Sequence, residues 1–245
     1  MGRELRGFFV PGDKDSILID ADYSQIELRV LAYLSGDETM VNAFETGEDI
    51  HVRTASNIFG VPKSYVTPEM RSSAKTVNFS IIYGIGDFSL AKDIGVSVAE
   101  AKTYIQTYFK KYPRVKEYLD FLIEDAKEKG YSKTMFGRIR YVPELTASNK
   151  NIVAFGKRVA MNTPIQGSAA DIIKIAMVKT DERLRREKLS SKLILQVHDE
   201  LIIEAPANEA EYVSTLLKSE MEGVTDKIRL VADVGMGSTW LAAKA

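Results

Sequence analysis

The chain has 245 residues, of which 45% are hydrophobic and 27% charged, and its net charge is −1. This balance is ordinary for a globular protein of one large or two small domains. The absence of cysteine excludes disulfides, thiolate catalysis and zinc–thiolate sites, and suits a cytosolic protein. No apolar run approaches the length of a membrane span, and the first residues lack the apolar core of a signal peptide.

Short β-branched and apolar runs near the start predict strands over 8–10 and 16–21. From Ser24 the apolar period becomes that of a helix ending at Gly36, with Ser24 as N-cap and Glu27 completing a capping box. Helical patterns then fill the middle of the chain, bounded by prolines and glycines. The further predicted helices cover residues 38–46, 49–59, 68–83, 97–111, 113–129, 149–162 and 166–188.

Strands return towards the end of the sequence. Residues 131–142 predict a hairpin that turns at Gly137, and Pro164 predicts a break between two helices. The last predicted elements are strands over 192–197, 201–205 and 228–234 and a helix over 208–222. Because strands lie at both ends and helices between them, we predict an α+β fold whose sheet is built from both ends around an inserted helical subdomain.

Acidic residues stand where two predicted strands end. Asp22 follows the first long strand and shares a strand face with Asp20, whereas His198, Asp199 and Glu200 form the bend of the last hairpin. If both elements belong to one sheet, Asp22 and Asp199 meet at one rim, where Mg²⁺ would relieve the repulsion between carboxylates. The acids alone equally suit a solvated hairpin tip.

The helix predicted over 68–83 carries cations and aromatic rings on one face. At 100° per residue, Arg71, Lys75, Phe79 and Tyr83 fall within an arc of about 120°. Cations suit phosphates and rings suit a sugar and base, so this face indicates a nucleoside triphosphate. The alternative is an interior ring pair beside basic side chains whose heads reach water.

Three motifs, in this order, resemble those of bacterial family A DNA polymerases, the DNA polymerase I type. The segment DYSQIELR at 22–29 resembles the family's first catalytic motif, and RSSAKTVNFSIIYG at 71–84 resembles its nucleotide-binding motif. The segment QVHDE at 196–200 resembles its third motif. In addition, NTPIQG at 162–167 is similar to a segment that lies beside the primer–template in that family.

The resemblance implies a role for each of these residues. Asp22, Asp199 and the backbone carbonyl of Tyr23 would bind two Mg²⁺ ions, and Glu200 would be an auxiliary acid. Lys75 would also protonate the leaving pyrophosphate. The residues implied to bind the nucleotide are Arg71, Lys75, Phe79, Tyr83, Glu27, Gln25 and His51. The residues implied to touch DNA are Arg158, Asn162, Gln166 and His198.

Two further positions follow from the resemblance. Glu27 would occupy the place that a ribose 2′-hydroxyl needs, which would favour deoxynucleotides. Asp20 falls outside the family's metal ligands, so we expect its position on the same strand face as Asp22 to be incidental.

The implied activity is template-directed DNA synthesis, in which a dNTP donates its nucleotide to the 3′-hydroxyl of a primer. The implied fold is an antiparallel palm sheet over 1–40 and 150–245 with helical fingers over 41–149; the family's thumb and exonuclease-like domain would precede the chain. We expect a monomeric, cytoplasmic, nucleoid-associated bacterial protein. Two alternatives stay open: a fragment that binds nucleotide or DNA without turnover, and a two-metal nuclease, which would leave the 71–84 face unexplained.

Overall fold

The structure is a computed structural model that describes residues 2–244. Its helices, in chain order, are α1 (Gly2–Leu5), α2 (Ile26–Ser35), α3 (Glu38–Glu45), α4 (Ile50–Phe59), α5 (Pro68–Ile82), α6 (Asp87–Ile94), α7 (Val98–Lys111), α8 (Pro113–Lys129), α9 (Lys150–Arg186), α10 (Ala210–Glu222) and α11 (Trp240–Ala243). Its strands are β1 (Ser16–Tyr23), β2 (Tyr131–Lys133), β3 (Ile139–Tyr141), β4 (Lys192–Val197), β5 (Glu200–Pro206) and β6 (Ala232–Gly237). None of the helices described is long and apolar enough to cross a membrane.

The described chain divides into two compact units. The first contains the residues up to Ile26 and from Ala169 onward, and the second contains Glu27–Ser168. These borders differ from those predicted at 40/41 and 149/150, and the outermost positions of the predicted palm segments, 1 and 245, lie outside the described residues. The assignment of palm and fingers stays a prediction.

The first unit is built on a four-stranded antiparallel sheet with the strand order β4-β5-β1-β6. This confirms a sheet assembled from both ends of the chain, because β1 pairs with two strands that come about 180 and 210 residues later. Helix α10 packs against β1, β5 and β6. On the face of β1 that carries Leu18, a cluster of Leu18, Ile202, Trp240 and Ala243 holds α11 against the sheet.

The second unit is mainly helical, as predicted for the middle of the chain. Helix α4 packs against α5 and α7, and α6 packs against α7. The predicted hairpin is confirmed: β2 pairs with β3, and Gly137 has the positive φ of +91° that its turn requires. A cluster of Ala126, Val142, Leu145, Val159 and Ala160 joins this hairpin region to α8 and α9.

Proline 164 does not interrupt its helix, contrary to the prediction of a break. The N–H that proline lacks would have bonded to the carbonyl of Ala160, and the Ser132 hydroxyl donates to that carbonyl instead at 3.3 Å. The hydroxyls of Thr163 and Ser168 donate to nearby helix carbonyls, of Val159 and Pro164, at 2.7 and 2.5 Å. Side-chain donors therefore let α9 continue from Lys150 to Arg186.

Several other predictions at element ends were wrong. Residues 8–10 are not a strand; Arg6–Phe8 form a 3-10 turn, and Phe8 is 80% exposed, so this short apolar run has no sheet to join. Helix α2 begins at Ile26, two residues after Ser24, whose backbone N–H donates to the carbonyl of Val231. The last strand begins at Ala232 rather than 228. Helices α1, α6 and α11 were missed.

Candidate active site

The two predicted catalytic aspartates lie at one rim of the sheet in the first unit. The Tyr23 N–H donates to the backbone carbonyl of Asp199 at 3.1 Å, and Asp22 is paired directly opposite Glu200 across β1 and β5. A two-residue turn of His198 and Asp199 joins β4 to β5, and His198 takes the positive φ of +54° that such tight hairpins need at their first position. Local turn geometry therefore brings Asp199 to the end of β1.

The carboxylates at this rim perturb one another. Burial, and then the charge of Asp22, raises the pKa of Asp199. Asp20 is only 1% exposed, and burial together with its hydrogen bond to Glu200 raises its pKa to about 8. Burial would also raise the pKa of Glu200, but hydrogen bonds from Asp20, Lys244 and Trp240 lower it below its usual value. Asp20 therefore holds the proton of this pair at neutral pH, while Glu200 carries the charge.

A short helix that the sequence analysis missed supplies the partners of these acids. The indole N–H of Trp240 donates to Asp20 Oδ2 at 2.8 Å and to Glu200 Oε1 at 2.6 Å. The ammonium of Lys244, directly after α11, lies 2.8 Å from Asp22 Oδ2 and 3.0 Å from Glu200 Oε2. Asp20 is thus part of the carboxylate cluster, and the expectation that its position is incidental was wrong.

The donor set suits a divalent cation. Within the residues described, no group of three or more histidine, aspartate and glutamate side chains is arranged to hold a metal ion. The oxygens of Asp22 and Glu200 nevertheless already converge on one positive charge, the Lys244 ammonium. Hard oxygen donors that gather round a cation at a strand rim are the ligand chemistry that Mg²⁺ takes, so the residues fit the ion that the family implies.

In the second unit, α5 presents the predicted face of cations and rings. The helix begins with Thr67 as N-cap and Pro68 at its first position. Its packed side contains residues buried to 0–4% exposure, which are Ala74, Val77, Asn78 and Ile81. The side chains of the predicted face stay at least partly accessible, and these are Arg71, Lys75, Phe79 and Tyr83. The rings of Phe79 and Tyr83 lie 6.0 Å apart, and both are only partly buried, so this ring pair is not interior.

Other side chains of the second unit hold this face in place. Arg71 Nε donates to Asp49 Oδ2 at 2.8 Å, a partner that the sequence analysis missed although Asp49 is a recognisable N-cap of α4. The Tyr83 hydroxyl donates to Glu27 Oε2 at 3.1 Å. The predicted nucleotide residues Glu27 and Tyr83 are therefore in direct contact.

Histidine 51 lies beneath the same face. It is 2% exposed, its ring centroid is 6.2 Å from that of Phe79, and its Nδ1 accepts a hydrogen bond from the Asn78 amide at 2.9 Å. Burial lowers the pKa of His51 to about 4, so the ring is neutral at pH 7. Because Nδ1 is an acceptor, the neutral ring carries its proton on Nε2. Any phosphate contact would be a hydrogen bond from a neutral donor.

The predicted DNA-contacting residues of α9 recur every four residues. Arg158 is exposed, Asn162 and Gln166 are half-buried, and the continuous helix places all three on one side. The Asn162 Oδ1 atom is buried without a hydrogen-bond partner. Near this stretch, Gly84 has φ +64°, and a side chain there would collide with Met161 and Arg158. His198 is exposed and Gln25 half-buried, both in the first unit, and Gln25 has a φ of +52°.

Sequence and structure comparisons both find DNA polymerases among the proteins similar to this chain. The chain is 50% identical over 244 residues to the DNA polymerase I of Caldicellulosiruptor bescii and 49% identical over 244 residues to that of Bacillus caldotenax, in each case over 99% of this chain. It spans only 29% and 28% of the lengths of these relatives. The POL domain of Pol1 from M. smegmatis, in complex with DNA primer-template and dNTP, matches with a TM-score of 0.95 and 41% identity, over 99% of this chain and 43% of that one.

The family model for DNA polymerase family A matches residues 1–242 of the sequence. The match covers nearly the whole chain, including the three motifs and the sheet rim described above. The chain therefore belongs to DNA polymerase family A.

Proposed function

We propose that this chain is the palm-and-fingers core of a template-directed DNA polymerase, which transfers a nucleotide from a dNTP to a primer 3′-hydroxyl. The observation that carries the proposal is the meeting of Asp22 and Asp199 at one sheet rim, through the 3.1 Å bond between Tyr23 and Asp199, in a family A chain. Under this proposal the sheet of the first unit is the palm, and the helices of the second unit are the fingers. A bound primer–template and dNTP in the M. smegmatis relative support the same assignment.

The carboxylate rim would hold two Mg²⁺ ions through Asp22, Asp199 and the carbonyl of Tyr23. These ions would neutralise charge on the phosphates and favour ionisation of the primer hydroxyl. Glu200 is buried and hydrogen-bonded, so in this proposal it acts as an auxiliary acid that orients the rim.

The α5 face would bind the incoming nucleotide. Arg71 and Lys75 would hold the triphosphate, and neutral His51 would add a hydrogen bond from Nε2. Lys75 is exposed and carries the ammonium proton that the leaving pyrophosphate would take. The Phe79 ring would pack against the sugar and base.

The contact between Glu27 and Tyr83 supports a role in sugar selection. Because the Tyr83 hydroxyl holds the Glu27 carboxylate at 3.1 Å, that carboxylate has a fixed position. A fixed group excludes a 2′-hydroxyl better than a mobile one, since it cannot move aside at low cost. Gln25 would lie at the nucleotide, and Arg158, Asn162, Gln166 and His198 would touch the primer–template.

Primer extension tests the proposal. Asp22→Ala and Asp199→Ala are placed in this chain and, at the aligned positions, in the full-length C. bescii relative, with the exposed Asp226→Ala as a matched control. We expect each rim substitution to lower the rate at least about a thousandfold, because an essential ion would be misplaced, and the control to leave it unchanged. Near-normal rates in both rim variants would refute the assignment.

The same assay separates the alternatives. Extension by the full-length relative but not by this chain, with DNA still bound, would identify this chain as a binding fragment. Cleavage of DNA without added dNTP would instead favour a nuclease.

A further inference from the structure

Lysine 244 occupies the centre of the carboxylate cluster. Its ammonium lies 2.8 Å from Asp22 Oδ2, 3.0 Å from Glu200 Oε2 and 3.9 Å from Asp20 Oδ1, and its side chain is 19% exposed. The lysine is therefore a fixed positive charge among oxygens that would otherwise repel one another.

The fold fixes this lysine in place. Thr239 is the N-cap of α11. The indole N–H of Trp240 donates to Asp20 and Glu200, and its backbone N–H donates to the carbonyl of Phe9 at 3.0 Å. Gly237 allows the helix to pack this closely, because a Cβ there would lie 2.6 Å from backbone atoms of residues 242 and 243. Lys244 follows directly on this anchored turn.

An ammonium and a divalent ion cannot both take the same lone pairs of Asp22. The side chain of Asp22 is 36% exposed, so an ion can approach it from solvent, whereas Glu200 is 5% exposed and is held by Lys244, Trp240 and Arg6. Lys244 holds Asp22 through Oδ2, so an ion that binds this oxygen must displace the ammonium from it, while the bond of Lys244 to Glu200 can persist.

We propose that Lys244 is an internal counter-cation that holds Asp22 and Glu200 together without metal and competes with the divalent ion for Asp22. The proposal rests on the proposed function, because it takes Asp22 as a metal ligand. Lys244 is on this account a positioning residue that sets the affinity of the site for its ions.

Direct ion binding tests the competition without measuring activity. Trp240 is the only tryptophan of the sequence and contacts two acids of the cluster, so paramagnetic quenching of its fluorescence reports Mn²⁺ at this rim. In Lys244→Met, which keeps the length of the side chain but not its charge, we expect the Mn²⁺ dissociation constant to fall about tenfold, or about 1.4 kcal/mol. In EDTA the same variant should melt at a lower temperature, and added Mn²⁺ should stabilise it more than wild type.

Two controls sharpen this test. Lys244→Arg keeps the positive charge, so its affinity should stay within about twofold of wild type. Lys218→Met removes an exposed lysine whose partner is Glu222 and should change nothing. If Lys244→Met does not fold, Lys244→Gln carries the same test: a Mn²⁺ dissociation constant about tenfold lower supports the proposal, and an unchanged one overturns it.

The outcomes distinguish the two proposals. Unchanged or weaker Mn²⁺ binding in Lys244→Met, with binding still abolished by Asp22→Asn, refutes the competition and leaves the proposed metal site intact. No binding to wild type or to Lys244→Met refutes the competition and the divalent-ion site together.

Discussion

The proton shared by Asp20 and Glu200 gives the clearest stability prediction. Asp20→Asn replaces a carboxyl that is protonated at neutral pH by an amide of the same shape, which can still donate to Glu200 and accept from Trp240. Because burial and the hydrogen bond with Glu200 raise the pKa of Asp20 to about 8, the folded protein keeps a proton that the unfolded chain releases near the ordinary aspartate pKa of 3.8. Between these values the native state binds more protons, so stability falls as the pH rises.

The size of the effect follows from the shift. Each pKa unit corresponds to about 1.4 kcal/mol, so the shift of Asp20 alone would cost up to about 6 kcal/mol above pH 8. About 4 kcal/mol of this cost falls between pH 5 and 8, and Glu200 does not offset it there, because a carboxyl whose pKa is lowered is ionised in both states at these pH values. Asn cannot ionise, so the variant avoids this cost.

Urea unfolding followed by circular dichroism, in EDTA at pH 5, 7 and 9, measures the difference. The free energy of unfolding of Asp20→Asn should equal or fall below that of wild type at pH 5 and exceed it by up to about 4 kcal/mol at pH 9. Asp226→Asn, at an exposed aspartate outside the sheet, serves as the control and should follow wild type. If the free energy of unfolding changed with pH in the same way in wild type and in Asp20→Asn, the buried shared proton would be refuted.

Three further predictions concern the second unit. Glu27→Gly should raise ribonucleotide incorporation in primer extension about tenfold or more, because it removes the fixed carboxylate, whereas Glu27→Gln should change it little; equal discrimination in all three proteins would contradict the assignment. Asp49→Asn should tighten dNTP binding by calorimetry about two- to fivefold, since it removes the charge that pairs with Arg71 but keeps an N-cap; weaker binding would count against a triphosphate at Arg71. Burial lowers the pKa of His51 to about 4, so stability should decline by up to about 3 kcal/mol as the pH falls from 6.5 to 4, and His51→Gln should lack this decline.

Sequence reasoning worked where structure is local. The period of α5, with a proline at its start and a glycine at its end, predicted which side chains share a face, and the structure leaves that face at least partly accessible. Reasoning failed at Pro164 because the compensating donor, Ser132, lies 28 residues from the carbonyl it serves. No pattern within α9 could have indicated that donor.

At the sheet rim the acids could be predicted from the sequence, but their partners could not, because those partners are distant in the chain. Alternation placed Asp20 beside Asp22, and an aspartate inside an apolar strand is a signal that a buried partner exists. The partners Trp240 and Lys244 come more than 200 residues later. Trp240 begins a four-residue helix that is too short to show periodicity, and Lys244 directly follows it. The only tryptophan of the sequence was the available clue, since a buried indole N–H needs an acceptor.

The pairing of β1 with β5 sets Asp22 directly opposite Glu200, an arrangement that destabilises a sheet when both residues are charged. An antiparallel register that served stability alone would not place like charges there. Three groups offset this repulsion: the ammonium of Lys244, the indole N–H of Trp240 and the proton that Asp20 shares with Glu200. The first two of these donors depend on the close packing at Gly237, because α11 carries Trp240 and positions Lys244. The ammonium of Lys244 thus helps to keep these acids together without metal, and on our proposal it would compete with an ion for Asp22.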